Sequence, residues 1–182
     1  YILIMFIQTQ ETPNPNSLKF IIGKVVSNDG PYEFLNENQT NIPLLKNILT
    51  IRGVTGIFLS EDFLSINKSQ DEKWENIKHI VISLLNEYYE EGNEFIINKQ
   101  STLGDQKDYG EIENKIIKIL ETKIRPAVAR DGGDITFKEF KDGKVTVMLK
   151  GSCSGCPSST LTLKQGVQNL LCHYIPEVKE VL

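Results

Sequence analysis

Ile135-Thr-Phe-Lys-Glu-Phe-Lys-Asp-Gly-Lys-Val-Thr-Val-Met-Leu-Lys-Gly-Ser-Cys-Ser-Gly-Cys-Pro157 decides how this chain folds and where its chemistry lies. Ile135 to Phe140 and Val145 to Leu149 alternate around Lys141-Asp142-Gly143-Lys144, and Asp-Gly is a pair that tight hairpin turns favour. The strand pattern stops at Lys150. A helix pattern then begins near Pro157, with Leu163, Val167, Leu170, Leu171 and Tyr174 along one stripe. Cys153 and Cys156 therefore stand on a loop between strand and helix. Gly151 and Gly155 leave that loop bare enough for backbone amides to approach an anion. The positive end of the following helix predicts that thiolate is favoured over thiol, and thiolate is the form that binds metal or attacks disulfides.

Upstream of the hairpin, Ile112, Ile116, Ile119 and Leu120 mark an amphipathic helix. Pro126 interrupts it by starting a short second helix, and Gly132 and Gly133 end that. Downstream, Pro176 follows the last helix and a final strand is expected near Val178 to Leu182. This unit, residues 111–182, reads helix, strand, strand, cysteine loop, helix, strand. Residues 99–110 hold little that is aliphatic and no periodicity, which predicts a polar linker. Residues 1–98 form another unit. There Ser17 to Ile22 reads as strand, and Ile42, Leu45, Ile48 and Leu49 as a short helix closed by Gly53. Val54 to Leu59 and Phe63 to Ile66 read as a hairpin across Ser60-Glu61-Asp62. Trp74, Ile77, Val81, Leu84, Leu85 and Tyr88 fall on one stripe of a longer helix. The expected fold class is α+β, as two small α+β domains joined by the linker.

The 182 residues are 40% hydrophobic and 24% charged, ordinary globular composition with room for two small domains. The net charge of −4 argues against a general nucleic-acid binder. It is unevenly spread: residues 1–110 carry 15 acidic and 9 basic side chains, and residues 111–182 carry 9 and 11. Three cysteines, two of them clustered, do not form a disulfide framework and point to a reducing compartment. The apolar opening Tyr1 to Ile7 is short and lacks a basic leader, so neither a signal peptide nor a membrane span is expected from it; a strand is expected to follow Met5.

Other side chains invite weaker readings. Sixteen residues separate Cys172 from Cys156, roughly 24 Å along a helix at about 1.5 Å each, too far to share a metal. His173 lies at that same distant end and His79 lies off its helix stripe, so neither is expected as ligand or base. Asp131-Gly-Gly-Asp134 reads as a helix-ending turn with solvated aspartates. Thr12-Pro-Asn-Pro-Asn16 reads as a rigid turn first and a recognition element second, and Glu87, Glu90 and Glu91 as a solvated helix end.

Taken together, Ile124-Arg-Pro126, Asp131-Gly-Gly-Asp134, Gly151-Ser-Cys-Ser-Gly-Cys-Pro157, Thr162-Leu-Lys164 and Pro176-Glu-Val178 resemble the C-terminal domain of NifU-like iron-sulfur carrier proteins. Met5-Phe-Ile-Gln-Thr, Thr12-Pro-Asn-Pro-Asn16 and Leu18-Lys-Phe20 resemble the N-terminal domain of the Nfu branch of that family. The resemblance implies a non-enzymatic carrier in which Cys153 and Cys156 bind a 4Fe-4S cluster between two protomers. It further implies a homodimer on cluster binding, upstream cluster-assembly proteins, and apo recipient proteins as partners, with no nucleic acid or membrane. The chemistry agrees, since a 4Fe-4S cluster takes four thiolates and one chain offers two within reach. The loop amides and Lys150 are expected to stabilise the anionic cluster. The expected compartment is a bacterial cytoplasm, with the mitochondrial matrix as the alternative.

Two rival chemistries use the same thiols. A thiol-disulfide oxidoreductase also places a CxxC pair at a helix start, although no aromatic residue precedes Cys153 and no parallel βαβ pattern is evident around the loop. A zinc-bound interaction module is the other.

Overall fold

The computed structural model describes residues 6–28, 30–97, 108–154 and 157–182, with the side chains of 157–159 outside that set. Cys156, Gly155 and the expected linker residues 99–107 lie outside the described residues. The chain divides into two compact units, Tyr1–Thr102 and Leu103–Leu182, and both mix helix and sheet.

The first unit is an antiparallel five-stranded sheet. Its strands are β1 (Gln8–Glu11), β2 (Ser17–Ile21), β3 (Tyr32–Phe34), β4 (Val54–Leu59) and β5 (Phe63–Lys68), in spatial order β1-β2-β5-β4-β3. Helices α1 (Pro43–Leu49) and α2 (Lys78–Glu90) pack on it. Alternation explains the core, because Leu18 and Phe20 of β2, Ile57 and Leu59 of β4, and Leu64 and Ile66 of β5 all point to one face. Leu44, Leu45 and Ile48 of α1 meet them, with Val81, Leu85 and Tyr89 of α2. The sequence pattern starts α2 too early. Trp74–Asn76 is a 3-10 turn ahead of the helix; the Trp74 indole donates to the Pro15 carbonyl at 3.1 Å while its ring packs against the core. β3 carries too short an alternation to be recognised from its sequence. Glu87, Glu90 and Glu91 are exposed, as expected.

In the second unit α3 (Glu111–Ile119) runs into a π-helical turn at Leu120–Ile124 and then α4 (Arg125–Arg130). Ile116, Leu120, Ile124 and Val128 recur every four residues and are all buried, so the widened turn keeps one apolar stripe continuous. Pro126 is the second residue of α4, and the break in α-geometry precedes it. Strand β6 (Gly133–Lys141) pairs antiparallel with β7 (Lys144–Gly151). Asp142 and Gly143, at φ 52° and 77°, make the turn between them. Helix α5 (Pro157–Tyr174) follows, and β8 (Glu180–Val181) returns parallel to β7.

That parallel return makes β7-α5-β8 a βαβ unit around the cysteine loop. Its last strand has two residues, too few for a periodic pattern. The objection to a redox enzyme that rested on the lack of such a unit therefore does not stand. No helix among the described residues is long and apolar enough to cross a membrane.

Phe20 is fully buried in β2. Replacing it by alanine should cost the first unit about 3–5 kcal/mol. The chain's one tryptophan, Trp74, lies in that unit, so denaturant unfolding followed by its fluorescence measures the loss.

Candidate functional site

The hairpin register places Gly133 opposite Gly151 and Asp134 opposite Lys150, at the end of β7 from which the cysteine loop departs. Gly151 turns with φ 65°, after which Ser152 N donates to the Gly132 carbonyl at 3.2 Å. Ser152 Oγ donates to the Asp131 carbonyl. Ser154 folds back on Gly151 through both its amide, at 3.1 Å, and its hydroxyl, at 2.9 Å. Thr160 Oγ1, in the first turn of α5, donates to the Cys153 carbonyl at 2.9 Å. The loop is thus fixed to the helix-ending turn behind it and to the helix ahead.

Cys153 is buried and belongs to the apolar core of its unit, beside Ile135, Val147 and Val167. Its sulfur sits over Gly133. A Cβ there would stand 2.5 Å from Cys153 Sγ, 2.8 Å from the Lys150 carbonyl oxygen and 3.0 Å from Cys153 N. Real Cβ atoms do not approach so closely, so position 133 must be glycine while the thiol occupies this place. Gly132, with φ 82°, ends α4; Gly133 makes room for the sulfur.

Asp134 is not the solvated aspartate that its neighbourhood predicts. It is 4% exposed, and Arg125 grips it through Nε to Oδ1 at 2.8 Å and NH2 to Oδ2 at 3.1 Å. This two-pronged pair joins the start of α4 to the start of β6 and raises the Arg125 pKa. Glu121 lies a further 3.9 Å from the same guanidinium. The π turn sets Arg125 in this position while Leu120 and Ile124 stay in the core.

The expectation of a ready thiolate is overturned for Cys153. Its pKa is pushed up from the ordinary 9.0 to about 11, first by burial, with the Asp131 and Asp134 carboxylates adding to the rise against an opposing Ser152 hydrogen bond. Burial in the core outweighs whatever the helix end contributes. Cys172 is half-buried against the second core at the far end of α5, so it packs more than a merely incidental thiol does. His79 and His173 are exposed, the latter with its ring edge on Tyr174. No group of three or more His, Cys, Asp and Glu side chains comes together as a metal site among the described residues.

In the first unit, Thr12-Pro-Asn-Pro-Asn16 is the rigid turn its prolines predict. Thr12 Oγ1 donates to the Asn14 and Ser17 carbonyls at 2.9 and 3.0 Å, and Asn16 N donates to Asn14 Oδ1 at 2.9 Å. With Glu11, Trp74 and Lys78 this turn lines a pocket of about 490 Å³.

Comparison with known proteins agrees with this architecture. Residues 116–182 match the NifU-like domain family, and residues 7–92 match the family described as scaffold protein Nfu/NifU N terminal. NifU-like protein 4, mitochondrial, of Arabidopsis thaliana is 40% identical over 184 residues, covering 97% of this chain and 65% of that protein. The Homo sapiens protein named NFU1 iron-sulfur cluster scaffold homolog, mitochondrial, is 40% identical over 181 residues, covering 97% of this chain and 71% of that protein. The solution structure of a NifU-like protein from Saccharomyces cerevisiae aligns with 53% of this chain and 87% of its own, at 31% identity and a TM-score of 0.48. The chain belongs to the NifU-like family and is of its Nfu type. It spans about two thirds of the length of these mitochondrial relatives.

Gly133→Ala should lower stability by about 1–3 kcal/mol, because sulfur and backbone must both move; thermal unfolding of the apo protein measures it. Cys153 in the apo protein should alkylate roughly a hundredfold more slowly at pH 8 than an ordinary cysteine, and tenfold faster per pH unit toward about 11. The folded state holds this proton more tightly than the unfolded state. Apo stability should therefore fall between about pH 9 and about pH 11, less steeply in Cys153→Ala.

Proposed function

We propose that this chain is an iron-sulfur cluster carrier, not an enzyme. Cys153 and Cys156 hold a 4Fe-4S cluster jointly with the same pair from a second copy and pass it to apo-proteins. The observation that carries this reading is the room made for Cys153. An arginine-aspartate pair, a side-chain-free glycine, two loop hydroxyls and the Thr160 hydroxyl of α5 all serve to set one buried sulfur on the strand-to-helix loop. The sequence places Cys156 three residues on, which gives the chain two of the four thiolates such a cluster takes. The named role of the human relative, an iron-sulfur cluster scaffold homolog, points the same way.

The high pKa of Cys153 gives the exchange its direction. Loading replaces S–H by S–Fe and releases a proton; unloading reverses this as a recipient's thiolate takes over the iron, with no change in the cluster's electron count. Near neutral pH the empty site keeps its proton, which favours release. The same pKa argues against a thiol-disulfide oxidoreductase, whose attacking thiol needs a lowered value. A zinc module would use the same sulfurs and give a colourless protein.

The first unit, with no cysteine of its own, serves partner recognition, and its pocket beside Trp74 offers a surface for that. Partners are upstream cluster-assembly proteins and apo recipients, with nucleic acid and membranes playing no part. The mitochondrial matrix is the better-supported compartment than a bacterial cytoplasm, given the relatives' names.

Anaerobic reconstitution with iron and sulfide should give about two irons per chain and convert apo monomers to dimers. Cys153→Ser and Cys156→Ser should each abolish the cluster spectrum, and Cys172→Ser should keep it. A fully loaded monomer, or loss of the cluster in Cys172→Ser, would falsify this assignment of ligands.

A further inference from the structure

Helix α5 has an unusual outer face. Leu161, Thr162, Gln165, Gly166, Asn169 and His173 are its exposed residues from Leu161 to His173, and they include no Asp, Glu, Lys or Arg. The exposed face of α3 differs, with Glu111, Lys115 and Lys118 and a Lys115–Glu111 pair at 3.1 Å. Leu161 is 71% exposed, the most of any large apolar side chain among the described residues of this unit. Gly166 sits mid-helix, where glycine is disfavoured, yet a Cβ there would meet nothing within 4 Å. Among the described residues nothing requires glycine at that position.

We propose that this uncharged face of α5 is the seam along which two copies of the chain close around their shared cluster, an inference that rests on the bridging role proposed above. Continuity with the thiol loop selects the second copy as occupant. Thr160 holds the Cys153 carbonyl, and Leu161 is the next residue, so two loops that reach one small cluster bring the first turns of both α5 helices together. A symmetric interface must also complement itself. A face of one charge would repel its own copy; this one has only the half-buried Lys164 at its edge. Leu161 packs across the axis near the cluster, and Gly166 lets the backbones approach further along.

The face is small. From Leu161 to His173 it is roughly 18 Å long and about 10 Å wide, a few hundred Å² over both copies, against the roughly 1,200 Å² of a stable interface. It therefore closes only with the thiolate bonds to the cluster and opens when they are exchanged. The seam orients the two loops and leaves the apo chain monomeric.

The test loads the full chain with iron and sulfide anaerobically, then measures mass in solution and the rate of cluster loss to a chelator. Leu161→Asp and Gly166→Arg place charge or bulk in the seam; Lys118→Glu on α3 is the control. Both seam variants should match the wild type in apo circular dichroism, shift the loaded dimer toward monomer, and lose cluster about tenfold faster. The control should behave as wild type. Should Leu161→Asp disturb the apo fold, Gly166→Arg still decides, because its side chain projects into open space. A wild-type dimer whose mass and chelator lifetime both seam variants preserve overturns the seam alone. A wild type that loads fully as a monomer overturns the bridging reading and the seam with it.

Discussion

The contact between Cys153 Sγ and the bare α-carbon of Gly133 fixes the second unit around its thiol. It exists only in one hairpin register, with Gly133 opposite Gly151, and that register is set at the far end by the Asp142-Gly143 turn. One bulge between Phe137 and Glu139 is absorbed along the way. A slip of one residue would put Asp134 where the sulfur must lie. The Arg125–Asp134 pair guards against this from the other side, because it ties the same strand end to α4. β8 then pins β7 along its free edge through Lys144 and Val145.

Much of this was legible from residues alone, because periodicity is a local property. The Asp-Gly turn, the alternation of Val145 to Leu149, that of Ile135 to Phe140 apart from its bulge, and the stripe of α5 apart from Tyr174, which is 50% exposed, each lie within one element and read correctly. What stayed hidden depended on distant partners. Asp134 has the sequence of a solvated turn residue and is buried because Arg125, nine positions earlier at the start of α4, reaches it across that helix and its closing turn. Gly133 looks like half of a helix stop, and only the folded sheet shows that its missing side chain belongs to Cys153. The doubled glycine was the available signal, since one glycine suffices to end a helix.

The same distinction holds in the first unit. Strands β2, β4 and β5 are rich in aromatic and branched residues and announce themselves, whereas β3 has three residues and gains its strand character from pairing with β4. Trp74 packs against the core as a helix-face residue would, but from a 3-10 turn whose indole is held by the carbonyl of Pro15, 59 residues earlier. The Cys153 pKa was misread for a related reason. A helix start and a glycine-rich loop suggest thiolate, but how deeply a side chain is buried is a tertiary fact, and here desolvation is the largest influence.

That burial also determines how the empty protein withstands oxidants. Peroxides and stray disulfides attack thiolate, and they do so where sulfur is accessible. In the apo protein Cys153 is protonated and 8% exposed, so it spends little time in the form that oxidants consume. An exposed, acidified thiol would take up iron more eagerly and would also be lost sooner to sulfenic acid. The core placement of this sulfur therefore gives the apo protein chemical durability, a property separate from its affinity for a metal.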